Sequence, residues 1–131
     1  MIKLIIGNKG SGKTKKLVEL VNSCVENSDG NVVCVEKSPK LTYDISSKAY
    51  SINGCKAFYG FLAGICAGNY DVTDVLIDAT FKIVGRDYSK LPQFFDMLSE
   101  LSEATDVNFY FTISCDKEDL PVEIFDYCEE L

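Results

Sequence analysis

The segment Leu4-Ile5-Ile6-Gly7-Asn8-Lys9-Gly10-Ser11-Gly12-Lys13-Thr14 constrains the fold more than any other part of the chain. An apolar run ends at Gly7, two more glycines follow at 10 and 12, and an amphipathic pattern begins at Lys13. Glycine accepts positive φ at no steric cost, so such a stretch predicts a tight turn from a strand into a helix. Apolar runs over residues 31–36, 74–79 and 107–114 resemble the first, at 2–6. None alternates strictly, and continuous apolar runs suit strands covered on both faces, as in a parallel sheet.

Helical patterns lie between these runs. Residues 13–27 carry Leu17, Val21, Cys24 and Val25 at helical spacing and end at the breaker cluster Asn27-Ser28-Asp29-Gly30. Residues 91–104 carry Leu91, Phe94, Phe95, Leu98 and Leu101, with Pro92 tolerated in the first turn. Residues 54–68 predict a helix with Gly60, Gly64 and Gly68 four apart. That small-residue stripe implies either close packing on the sheet or contact with a second copy or protein partner. Residues 121–130 predict a last helix, residues 38–53 a loop with a short strand near 49–52, and residues 80–89 a second loop. Strand alternating with helix predicts an α/β fold: an open, mostly parallel sheet flanked by helices, with right-handed crossovers. A chain of 131 residues makes this one domain over 1–131.

Composition removes several function classes. Histidine is absent, so no His-based catalysis or metal ligation is available. A net charge of −7 argues against a nucleic-acid binder, whose affinity rests on basic surface. No apolar run is long enough to span a membrane. The first apolar run is too short for a signal-peptide core, and the six cysteines form no C-x-x-C pair. Both point to a cytoplasmic chain with buried free thiols.

Residues 7–14 match G-x-x-x-x-G-K-[ST]. In such a loop successive N–H groups form a concave nest for phosphate. The helix that follows presents its unpaired N–H groups and the positive end of its dipole. Lys13 reaches the β- and γ-phosphates, and the Thr14 hydroxyl ligates Mg²⁺. On these residues the chain resembles the P-loop NTPases. The resemblance implies a three-layer sandwich, ATP and Mg²⁺ as ligands, and phosphate binding by Gly7, Asn8, Lys9, Gly10, Ser11, Gly12, Lys13 and Thr14. It also implies an aspartate after a second buried strand that positions the magnesium with Thr14. Asp78, ending Val75-Leu76-Ile77-Asp78, stands there, whereas Asp74 lies at the opposite end of the strand, the wrong end for phosphate chemistry. The strand over 107–114 is then expected between the two, as in the RecA-like and kinase-like branch. Ser114 at its end is either a sensor of the γ-phosphate or a plain strand-end hydroxyl.

The chain departs from the efficient hydrolases where Ala79 and Thr80 follow Asp78, since neither takes a proton. Glu36 is the substitute base, or else a surface carboxylate. Arg86 is the one arginine, either a trans-acting charge for the transition state or a surface ion pair. A single arginine argues against a nucleotide kinase. The run Asp116-Lys117-Glu118-Asp119 resembles a guanine-reading motif with Asp replacing Asn, and reads as a solvated charge run; ATP is favoured over GTP. Thymidine kinases resemble the chain in the Lys37-Ser38-Pro39-Lys40 turn, but their cysteine pairs are missing. Twitching-motility ATPases share the loop but need histidine boxes. The expectation is a minimal Mg·ATP-binding protein, a weak or partner-stimulated ATPase. The alternatives are a nucleotide-binding partner module that hardly turns over and, third, a small-molecule phosphotransferase.

Overall fold

The computed structural model describes residues 1–36, 55–78, 80–85 and 87–131. Along the chain run β1 (Ile2–Ile6), α1 (Lys13–Asn27), β2 (Asn31–Val35), α2 (Cys55–Gly68), β3 (Val72–Ile77), α3 (Thr80–Val84), α4 (Leu91–Thr105), β4 (Asn108–Ile113) and β5 (Glu129–Glu130). The strands form one sheet in the order β2-β3-β4-β1-β5, and every pairing is parallel. As expected, β4 lies between β1 and β3. The expected loop and strand within residues 38–53 lie outside the described residues, as does Arg86.

Side chains alternate across each strand and divide the interior in two. Phe109, Phe111 and Ile113 of β4 join Ile2, Leu4, Val75 and Ile77 against Phe58 and Leu62 of α2 and Phe94, Phe95 and Leu98 of α4. On the other face Ile5, Leu76 and Tyr110 meet Leu17 of α1. The first face is rich in aromatic contacts: Phe95 and Phe111 lie 5.4 Å apart, edge to face, and Phe94 and Phe95 5.1 Å apart.

Three expectations need correction. Val25 is not on the buried side of α1, where it is 60% exposed. It lies about 80° around the helix from Leu17, so the stripe against the sheet is Leu17, Leu20, Val21 and Cys24. Residues 121–130 are not an α-helix: a 3₁₀ turn over Val122–Asp126 is followed by β5. Strand β5 pairs Lys3 with Glu129 and Leu4 with Glu130, and the Leu131 N–H donates to the Leu4 carbonyl at 2.8 Å. Backbone hydrogen bonds build this strand from exposed glutamates, so no apolar pattern announces it. Residues 80–84, expected as loop, form α3, which turns Phe81 and Val84 into the core at i and i+3.

The glycine stripe of α2 is not tightly packed either. The helix buries Phe58, Leu62 and Cys66, while among the described residues nothing lies within 4 Å of the place a Cβ would take at Gly60, Gly64 or Gly68. Gly64→Ala is therefore expected to stabilise the fold by about 1 kcal/mol. Gly30→Ala should have the opposite sign: its Cβ would run into the Asp71 carbonyl oxygen and the Thr73 methyl. Overpacking of this kind costs roughly 1–3 kcal/mol. Thermal denaturation of both variants checks the pair.

Candidate phosphate-loop site at the carboxyl end of the sheet

Ile6 pairs with Ile113, and the Gly7 N–H donates to the Ile113 carbonyl at 3.1 Å, so the loop starts level with the end of β4. Gly10 and Gly12 then take φ of 86° and 87°, the left-handed region that the sequence assigns to glycine. The Ser11 N–H donates to the Asn8 carbonyl at 3.1 Å, closing the turn. Gly12 caps α1 without any side-chain acceptor, and no acidic residue stands in the first turn. Lys13, Lys15 and Lys16 stand there instead, next to Lys9. Cations at a helix N-terminus oppose the dipole, so the segment is electrostatically costly as it stands and suited to an anion. The Lys13 ammonium donates back to the Asn8 carbonyl at 2.9 Å.

Asp78 follows β3 directly. Its N–H donates to the Val35 carbonyl at 2.9 Å, and its carboxylate accepts from the Thr112 hydroxyl at 2.9 Å. Val35 pairs with Ile77, so Glu36 and Asp78 extend from the same level of neighbouring strands. The exposed Cys34 reports both: burial pushes its thiol up, and the Glu36 and Asp78 carboxylates push it further. Two adjacent carboxylates repel each other, and a divalent cation with oxygen ligands relieves that repulsion.

Of the expected site residues, the structure places residues 7–14 in one loop and helix start, and Glu36 beside Asp78. Ser114 is half-buried and follows Ile113, the partner of the Gly7 N–H. The expected opposition of Asp74 also holds. It sits two residues into β3, at the far end of the sheet, where Thr73, Asn108 and Tyr110 donate to its carboxylate.

Two contributors escaped the sequence reading. Thr112 was part of an apolar run, yet strand alternation puts it on the Asp78 face. Asp116 belongs to a run that reads as solvated charge, yet its carboxylate accepts from the Asn8 side-chain amide at 2.5 Å. The same run continues into a tether, because Lys117 pairs with Glu130 at 2.9 Å and lies over the Phe125 ring at 5.2 Å. The predicted strand order was the available signal, since it brings the residues after β4 beside the loop after β1.

The six cysteines form no disulfide: Cys66, Cys115 and Cys128 are buried as expected, whereas Cys34 is exposed. Burial pushes the Cys128 thiol up to about 12, which makes it inert. Among the described residues one buried side-chain oxygen, Thr80 Oγ1, has no hydrogen-bond partner. An unsatisfied buried hydroxyl costs roughly 1–3 kcal/mol. Thr80→Val is thus expected to raise stability by about 1 kcal/mol, measured by urea denaturation.

No protein-family model matches the chain, and no curated protein matches it. Among the described residues no helix is long and apolar enough to cross a membrane.

Proposed function

We propose that the chain is a P-loop protein that binds Mg·ATP in the loop of residues 7–14. The observation that carries this is the turn between β1 and α1. Two left-handed glycines open it, no side chain caps the helix, and lysines fill the first turn. Among the described residues no atom lies within 4 Å of where a Cβ would stand at Gly10 or Gly12, which leaves room for a phosphate to approach the backbone closely. Thr14 is exposed in the first turn and would hold magnesium together with Asp78. The bound cation would neutralise phosphate charge. The loop N–H groups and Lys13 would orient the triphosphate.

Slow hydrolysis follows from the same residues. Phosphoryl transfer depends on positioning and charge stabilisation, and Asp78 is followed by alanine. Glu36 is the carboxylate placed to accept a proton from water, and Ser114 would face the terminal phosphate. The second reading, a nucleotide-binding partner module, is favoured by the unfilled Gly60, Gly64 and Gly68 face of α2. A second copy or another protein would cover that face.

Calorimetry with Mg·ATP and Mg·GTP tests the binding step, with micromolar-range ATP binding and weaker GTP binding expected. Single-turnover hydrolysis with Glu36→Gln then separates the two readings. A fall of about 100-fold in rate assigns Glu36 as the base. A wild-type rate no faster than that of free nucleotide selects the partner module. Absence of ATP binding by the wild-type chain ends both.

A further inference from the structure

A cavity whose described lining includes no residue of the phosphate loop opens between the first turns of α2 and α4. Its volume is about 490 Å³, within the range of sites for small molecules. Both helices precede a parallel strand, so their N-terminal ends lie at the carboxyl edge of the sheet. The polar lining is Lys56 and Tyr59 from α2, with Lys90 and Gln93 from the start of α4. The floor is apolar, made by Phe94 and Met97. Phe94 is 2% exposed and stacks on Phe58 with centroids 5.9 Å apart, so its ring is a fixed part of the core, while Met97 is half-buried.

The charge of this lining is the unexpected feature. The chain as a whole carries −7, yet among the described residues the cavity is lined by two lysines and no carboxylate. Neither lysine is in an ion pair with another described residue. The nearest acid in sequence is Asp87. Its carboxylate accepts from the Ser89 N–H at 3.2 Å and the Ser89 hydroxyl at 2.6 Å, and these bonds, with a smaller contribution from the Lys90 ammonium, hold its pKa below the usual range. Two exposed ammonium groups, neither in an ion pair with another described residue, beside apolar lining complement a molecule with an anionic end and a flat apolar body. Tyr59 and Gln93 add a hydroxyl and an amide, both able to donate to the anion.

We propose that the cavity between α2 and α4 binds a small organic anion, with Lys56 and Lys90 on its phosphate or carboxylate group and Phe94 and Met97 against its apolar body. No nucleotide enters this proposal, so it stands or falls separately from the phosphate-loop reading.

Cys55 lines the same cavity and supplies a local reporter. Burial raises its thiol pKa, the Lys90 ammonium lowers it and the Asp87 carboxylate raises it, so the thiol senses the charges around the cavity. Alkylation of Cys55 by iodoacetamide is followed by peptide mass mapping, with phenyl phosphate as the probe. Inorganic phosphate and phenol serve as its separate halves. Phenyl phosphate is expected to slow Cys55 alkylation about tenfold while leaving Cys34, beside Asp78, unchanged. The double variant Lys56→Gln/Lys90→Gln should need about tenfold more probe for the same protection, the loss expected for two partly exposed charges. Protection is scored as the ratio of rates with and without probe in each variant, because losing Lys90 itself raises the thiol pKa. Benzoate in place of phenyl phosphate tells a carboxylate preference from a phosphate one, and protection by either supports the site. No protection by either, or protection undiminished in the double variant, overturns the proposal. Equal protection by inorganic phosphate or by phenol alone also overturns it, because one half of the site would then be idle.

Discussion

Lys13→Ala is expected to weaken Mg·ATP binding about 100-fold in calorimetry, while leaving the melting temperature within a degree or two of the wild type. In the nucleotide-free chain the Lys13 ammonium makes one exposed hydrogen bond, to the Asn8 carbonyl. An exposed bond of that kind contributes little to folding. Its removal also takes a positive charge from the start of α1, where the dipole disfavours one. Bound triphosphate would receive one or two charge-assisted hydrogen bonds from the same ammonium, each worth roughly 1.5–3 kcal/mol. Subtracting about 1 kcal/mol for the surrendered Asn8 bond leaves roughly 2.7 kcal/mol, or two decades in Kd. Lys9, Lys15 and Lys16 remain in place, so nonspecific attraction to phosphate survives and the loss measures the lysine's placement. Lys13→Arg should recover little, because the broader planar guanidinium replaces a compact point charge inside a tight loop. Unchanged ATP affinity in Lys13→Ala would reject the phosphate-loop reading.

The loop and the parallel sheet were legible because both rest on strong local rules, whereas the place of β4 between β1 and β3 was implied by the resemblance to P-loop proteins. The turn residues Gly10 and Gly12 announce left-handed backbone, and the four apolar runs announce a buried parallel sheet. Helix α1 spans the expected residues, as its stop at Asn27-Ser28 is written in breakers. What was not legible depends on partners distant in sequence. Strand β5 exists because the backbone of β1 offers it an edge, and its own residues, two exposed glutamates, say nothing of a strand. The open face at Gly60, Gly64 and Gly68 could not be read, because close packing and exposure share one spacing. The Asn8–Asp116 contact joins residues 108 apart, and only the adjacency of β1 and β4 makes it visible. Thr112 is hidden for a simpler cause: one hydroxyl in an apolar run carries no pattern until alternation assigns it a face.

Phe111→Ala should be the most destabilising of the variants considered, costing about 4 kcal/mol and lowering the melting temperature by roughly 12–15 °C. Phe111 is fully buried in the central strand. It meets Phe95 edge to face at 5.4 Å and Phe94 at 6.1 Å, so its loss opens a cavity lined by rings that are held by α4. The neighbouring Thr112 points the other way and holds Asp78. One strand therefore serves stability with its odd-numbered side chains and the candidate site with Thr112. Variants at adjacent positions should separate the two roles. Phe111→Ala is expected to keep near-normal ATP affinity in the fraction that remains folded at low temperature. Thr112→Val, which keeps the shape and deletes the bond to Asp78, should weaken the magnesium dependence of binding with a much smaller change in melting temperature. Coincident losses of stability and affinity in both variants would show that β4 does not divide its work this way.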